Sequence, residues 1–271
     1  MHPAGGRSPP APGPCHTGVV RTQHTRPSPL FLALLAVTVG GGVLTIVESE
    51  FALTAGVVIL VLGGWAVSLC LHEFGHAIVA YRGGDREVKW KGYLTLDIRR
   101  YTDPLLSFVL PLIFLLIGGI PLPGGAVWIN HHALRNKRVE SWVSLAGPLT
   151  NLVLGALLTI AVQLFFPDGE ITPLSAGLSF LALLQFMAFL LNILPVPGLD
   201  GWGAIEPYLS YKAQVFGQKA RQWAPLILFA VLIGLPAVGS AFFDIAYSIF
   251  DAVGGSRYSA ALGYGTFMFW R

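Results

Sequence analysis

Residues 51–80 read FALTAGVVILVLGGWAVSLCLHEFGHAIVA, an apolar segment interrupted only by His72, Glu73 and His76 near its C-terminal end. An apolar run longer than about 18 residues predicts a helix that spans a lipid bilayer. The whole chain shares this composition, because 54% of its 271 residues are hydrophobic and 11% are charged, against about 25% charged in soluble domains. We therefore expect an all-α polytopic membrane protein, which excludes a soluble enzyme, a disordered chain and a disulfide-bonded scaffold.

Four further apolar runs predict the remaining spans. They are residues 30–47, 142–166, 174–194 and 225–253, the last being either one kinked span or two short ones. This gives about five to six transmembrane helices. We expect a disordered cytosolic tail at residues 1–29, a membrane-embedded domain at 30–253 with its core at 51–210, and a C-terminal tail at 254–271.

The distribution of charge predicts the orientation of the chain. Of the 17 Lys and Arg residues, 15 lie in the N-terminal tail or in loops at residues 81–103, 135–138 and 201–223. The two turns predicted on the other side of the membrane, at residues 48–50 and 168–170, carry four acidic residues and no basic residue. Basic loops remain in the cytoplasm, so the N-terminus and the HEFGH end should be cytosolic. The net charge of +3 then reflects topology and implies no nucleic-acid partner. Within residues 88–98, alternating apolar residues predict a short β element.

The HEFGH sequence has the spacing of a zinc site. His72 and His76 stand one helical turn apart on one face, which lets two imidazoles share one zinc ion, and Glu73 lies about 100° round the helix, beside a zinc-bound water. The alternatives are a hydrogen-bonded cluster between helices, or a helix end at the membrane interface. Because polar side chains are costly within hydrocarbon, a functional site is the favoured interpretation.

A catalytic zinc site normally has three protein ligands, and Asp200 is the favoured candidate for the third. It follows an apolar helix broken by Pro195 and Pro197, so its carboxylate can project from unwound backbone. The alternative is an ordinary Asp at the cytosolic end of a span. His131 and His132 lie in a basic loop and are poor candidates.

Three motifs in this order resemble those of the site-2 protease family of intramembrane zinc metalloproteases, in particular its compact bacterial branch. They are HEFGH at residues 72–76, SLAGPLTN at 144–151 and NILPVPGLDG at 192–201. The resemblance implies one Zn²⁺ per chain, a single-span membrane protein as substrate and a location in the bacterial plasma membrane. It implies these roles for individual residues: His72, His76 and Asp200 as zinc ligands, Glu73 as catalytic base, and Asn151 and Asn192 near the substrate.

A parity argument predicts that residues 105–120 do not cross the membrane. To share one metal ion, the HEFGH residues and Asp200 must lie on the same side of the membrane. The two spans between residues 142 and 194 leave that side and return to it. Residues 105–120 must therefore cross the membrane an even number of times. A segment this short cannot cross twice, so we expect a re-entrant or membrane-lying segment. We expect either this segment or an edge strand in residues 88–98 to pair with an unwound substrate. A zinc transporter and an inactive homologue that binds membrane proteins are the rival functions.

Overall fold

The computed structural model describes residues 26–100 and 129–270, except for the side chain of Asp168. In these ranges the secondary structure is helical. The helices are α1 (Pro29–Leu44), α2 (Glu50–Gly83), α3 (Glu87–Trp90), α4 (Lys137–Phe165), α5 (Pro173–Asn192), α6 (Asp200–Ile205), α7 (Tyr211–Ala220), α8 (Ala224–Gly234), α9 (Pro236–Ala252) and α10 (Arg257–Phe267). The re-entrant segment expected at residues 105–120, and most of the expected N-terminal tail, lie outside the described residues.

Polar side chains fix where the principal helices begin. Ser28, Asn136 and Thr172 accept hydrogen bonds from backbone N–H groups in the first turns of α1, α4 and α5. Those N–H groups have no partner within the helix, so each cap both stabilises the helix and sets its first residue.

Helices α2, α4 and α5 form the centre of the molecule, and α1 packs along α2. The packing of α1 on α2 depends on glycine, since a Cβ atom at Gly41 would lie 2.6 Å from the backbone nitrogen of Leu60. Small residues that allow backbones to approach closely are typical of helix pairs in membranes.

The described residues contain three helices long and apolar enough to cross a membrane, namely α2, α4 and α5. Helices α8 and α9 are bent by 97° at Leu235 and make a fourth span only if taken together. Helix α1 has 16 residues and is shorter than the helices counted as spans. The expected five to six spans are therefore not confirmed, and residues 26–100 and 129–270 support three or four.

The prediction of a β element at residues 88–98 is wrong. Those residues form α3 and two 3₁₀ turns, because Gly92 (φ 78°) and Leu96 (φ 58°) adopt left-handed conformations that reverse the chain. Val88, Tyr93 and Leu94 are buried against α2. The apolar residues of this loop thus cover the end of the HEFGH helix instead of forming one face of a strand.

Residues 254–271, which the sequence suggested to be a C-terminal tail, include a helix packed in the core. Helix α10 lies against α5, where a Cβ atom at Gly263 would overlap the carbonyl oxygen of Ala176. Phe267 is fully buried, with its ring 5.6 Å from that of Phe180. Small residues in α10 give it a weak apolar signal in the sequence, but they are what permits this close packing.

Candidate metal centre

Helix α2 carries the HEFGH residues on buried turns near its C-terminal end. His72 and His76 are each 6% exposed and Glu73 is 2% exposed. The Nε2 atoms of the two histidines lie 3.1 Å apart, as expected for i and i+4 positions on one helix face. The two rings therefore converge on one point beside α4, which packs against this part of α2.

Asp200 reaches the same point because the chain turns back on itself after α5. Gly198 has φ +96°, a conformation that favours glycine. A Cβ atom at Gly201 would overlap the carbonyl oxygen of Ile193, so the first turn of α6 lies directly against the end of α5. These two glycines allow the backbone to place the Asp200 carboxylate beside the histidines.

The three expected ligands come together in a nearly equilateral triangle. Oδ2 of Asp200 lies 3.2 Å from Nε2 of His72 and 3.4 Å from Nε2 of His76. Zinc binds imidazole nitrogen and carboxylate oxygen at about 2.0–2.2 Å in tetrahedral geometry, which separates neighbouring ligand atoms by about 3.3–3.6 Å. The observed separations therefore fit one zinc ion.

The tautomer of His76 also suits a metal ion. Its Nδ1 atom lies 2.7 Å from the carbonyl oxygen of Val143, and since a carbonyl only accepts, Nδ1 carries the proton and Nε2 presents a lone pair. In this neutral tautomer, the Nε2 lone pair and Oδ2 of Asp200, 3.4 Å apart, are both available to one cation. Metal-binding histidines usually make such a hydrogen bond through the ring nitrogen that does not bind the metal.

The triangle opens into a cavity of about 220 Å³. Glu73 and Asn192 line it together with the three possible ligands, whereas Asn151 is not among its lining residues. Asn151 is buried on α4, and Asn192 donates from Nδ2 to the carbonyl oxygen of Ala188 on its own helix, at 3.0 Å. The substrate-binding roles of both asparagines stay predictions.

The cavity lining includes a histidine for which the sequence predicts no role. His131 lines the cavity, and its Nδ1 atom lies 2.7 Å from Oε1 of Glu140. The loop that carries His131 is fixed by Asp85, whose buried carboxylate accepts from the backbone N–H of Asn130 at 2.8 Å. The sequence offered no signal for this contact, since it joins two loops far apart in the chain.

The cavity lining also includes polar residues beyond the histidine helix. Glu206, Gln218 and Arg221 line it, contributed by the turn after α6 and by the end of α7. The segment of a ligand that fills this cavity must therefore tolerate charged neighbours.

Comparison with known proteins identifies relatives over nearly the whole chain. The chain is 46% identical to "Putative zinc metalloprotease Rip2" of Mycobacterium tuberculosis over 251 residues, 92% of this chain and 96% of the relative. It is 32% identical over 181 residues to "Putative zinc metalloprotease YwhC" of Bacillus subtilis, covering 63% of this chain and 78% of that protein. A third relative, "Putative zinc metalloprotease MJ0611" of Methanocaldococcus jannaschii, is 29% identical over 168 residues, 62% of this chain and 71% of its own length. No protein-family profile and no solved structure matches the chain.

Proposed function

Because this chain belongs to the site-2 protease family of zinc metalloproteases, we propose that it hydrolyses a peptide bond in or near a transmembrane segment of another membrane protein. The substrate class is a single-span protein of the bacterial plasma membrane, and cleavage takes place at the cytosolic end of α2. The observation that carries the proposal is the triangle of His72, His76 and Asp200 with Glu73 on the same cavity.

Each residue of this group has a separate task. His72, His76 and Asp200 hold the zinc ion, and Val143 keeps His76 in the tautomer that leaves Nε2 available. When bound, zinc supplies Lewis-acid chemistry, since it polarises a carbonyl group and lowers the pKa of water. The Glu73 carboxylate takes a proton from the attacking water and delivers it to the amide nitrogen that leaves as an amine.

The burial of Glu73 and the histidines restricts how a substrate can reach them. A transmembrane helix keeps its carbonyl groups in internal hydrogen bonds, so the segment to be cut must be unwound before it enters the cavity. The charged groups that line the cavity, Glu206 and Arg221, suit a polar segment at the end of a span. Residues 88–98 form helical turns, so they do not provide an edge strand with which a substrate could pair.

The two rival functions find less support. A zinc transporter needs metal-binding groups spaced along a path, but within residues 26–100 and 129–270 His72, His76 and Asp200 form the one cluster of this kind. An inactive homologue that only binds membrane proteins does not need a complete set of ligands together with a buried glutamate at the cavity.

A trapping experiment tests the proposal. The Glu73→Gln variant, purified from membranes with its bound proteins, should keep its zinc and enrich single-span proteins. Those proteins, reconstituted in liposomes, should be cut by the wild-type chain and by Glu170→Gln, which changes an exposed glutamate in the turn between α4 and α5. A zinc chelator should stop the cleavage. Equal cleavage by Glu73→Gln, or none by the wild type, would overturn the proposal.

A further inference from the structure

We infer that Gly147 is a positioning residue for the metal centre, because a side chain at this point of α4 would occupy the space that the ligand atoms of both histidines need. This inference rests on the proposed metal-binding role of His72 and His76. Gly147 itself binds nothing and acts only through the two imidazole rings.

The space beside Gly147 is filled by the ligand atoms themselves. A Cβ atom built on Gly147 would overlap Nε2 of His76 and would lie 2.6 Å from Nε2 of His72. Real Cβ atoms are essentially never found closer than 3.0 Å to another heavy atom. An alanine here would therefore push on both nitrogen atoms that face the Asp200 carboxylate.

The rings have little freedom to move away from such a methyl group. His76 is buried and is held through Nδ1 by the carbonyl oxygen of Val143, one turn before Gly147 on the same helix. A rotation that relieved the overlap at Nε2 would break that 2.7 Å hydrogen bond and leave a buried donor without its acceptor, which is unfavourable.

A movement of α4 away from α2 would also displace the third ligand, Asp200. Ser141 donates from Oγ to the carbonyl oxygen of Ala204 at 2.6 Å, and Ala204 lies on α6, whose first residue is Asp200. A Cβ atom at Gly203 of α6 would lie 2.7 Å from Oγ of Ser144. Helix α4 is thus tied to α6 as well as to α2, so movement of α4 displaces Asp200 relative to the histidines.

Helix α4 therefore sets the position of all three ligand side chains through one face. Val143 orients His76, Gly147 leaves room for both imidazoles, and Ser141 holds the short helix that carries Asp200. Substitutions on this face should weaken metal binding although none of the residues is a ligand. Outer partners of metal ligands typically contribute 10–100-fold to metal affinity.

The test compares Gly147→Ala with Gly155→Ala on the same helix, where the added methyl group would lie 3.0 Å from the ring of Phe186 and far from the ligands. Zinc affinity is measured by competition with a chelator on the purified full chain, and the visible absorption of the Co²⁺-loaded chain reports ligand geometry. Gly147→Ala should bind zinc at least 10-fold more weakly and show an altered Co²⁺ spectrum. Gly155→Ala should match the wild type in both.

Ser141→Ala adds no atoms and supplies a second variant should Gly147→Ala not fold. It should weaken zinc affinity and alter the Co²⁺ spectrum, by a smaller amount, with the thermal midpoint of the metal-free chain close to that of the wild type. A Gly147→Ala chain with wild-type affinity and spectrum would overturn the inference, as would an unchanged Ser141→Ala chain if Gly147→Ala does not fold. A wild-type chain that binds no zinc would instead overturn the proposed function.

Discussion

Oδ2 of Asp200 lies 3.2 Å from Nε2 of His72, although one residue begins a short helix after α5 and the other lies near the end of α2. The contact depends on the positive-φ turn at Gly198 and on the close approach of Gly201 to the end of α5. It brings a carboxylate to two imidazoles at one side of the cavity.

Asp200→Ala should lower zinc affinity by more than the roughly 10–100-fold that follows the loss of an outer partner of a metal ligand. The reason is that the change removes a charged ligand atom and leaves only the two imidazoles. Zinc content after dialysis against a weak chelator measures the effect. Asp244→Ala, at an exposed position of α9, is the control and should retain wild-type zinc content. If Asp200→Ala retained it too, Asp200 would not be a ligand.

Asp85→Ala should destabilise the folded chain by about 1.5–3 kcal/mol, because it removes hydrogen bonds from backbone N–H groups to a fully buried, charged carboxylate. The Asp85 carboxylate accepts from the backbone N–H of Glu87 at 2.9 Å and from that of Asn130 at 2.8 Å. Thermal unfolding of the detergent-solubilised protein measures the change. Glu87→Ala removes an exposed carboxylate and serves as the comparison, since exposed ion pairs contribute little. Equal losses for both would contradict the role given to Asp85.

The pair of Asp97 and Arg99 should stabilise the chain only above acidic pH. Hydrogen bonds from Arg99, including one of 2.8 Å to Oδ2, hold the pKa of Asp97 below its ordinary value. A depressed carboxyl pKa contributes stability that is complete above the ordinary pKa of about 3.9 and is lost as the pH falls through the folded-state value. Arg99→Gln should therefore lower the thermal midpoint at pH 7, and the difference from the wild type should shrink as the pH falls below about 3.9. A difference independent of pH would refute this.

Phe267→Ala should destabilise the protein by about 3–5 kcal/mol, as expected for removing a fully buried phenylalanine. Its ring is completely buried between α10 and α5, so the loss tests whether residues 254–271 belong to the core. Phe269→Ala is the matched control, because Phe269 is 63% exposed. Thermal unfolding of both variants should separate them clearly. Similar midpoints would indicate that this end of the chain is a tail, as its sequence suggests.

The parts of the site that depend on local spacing could be predicted from the sequence. The i and i+4 histidines follow from helix geometry, and the break after α5 follows from Pro195, Pro197 and the glycines around Asp200. The orientation argument required Asp200 and the HEFGH residues to meet on one side, and the structure brings them together. Their roles as ligands stay predictions until metal binding is measured.

Features set by contacts between distant segments could not be predicted. Val143 acts through its backbone carbonyl and Gly147 through the absence of a side chain, so neither residue type signals a role. The alternation in residues 88–98 suggests a strand, but the left-handed turns at Gly92 and Leu96 give a different structure. The small residues of α10 lowered its apolar signal and also made its packing possible.

The most direct test of the central claim measures zinc content and cleavage on the same samples. Wild-type and Glu73→Gln chains are reconstituted in liposomes with a single-span protein identified by trapping. We expect one zinc per chain in both, with cleavage by the wild type and none detectable by Glu73→Gln. Cleavage by Glu73→Gln at the wild-type rate, or wild-type cleavage that persists after the zinc is removed, would contradict the account.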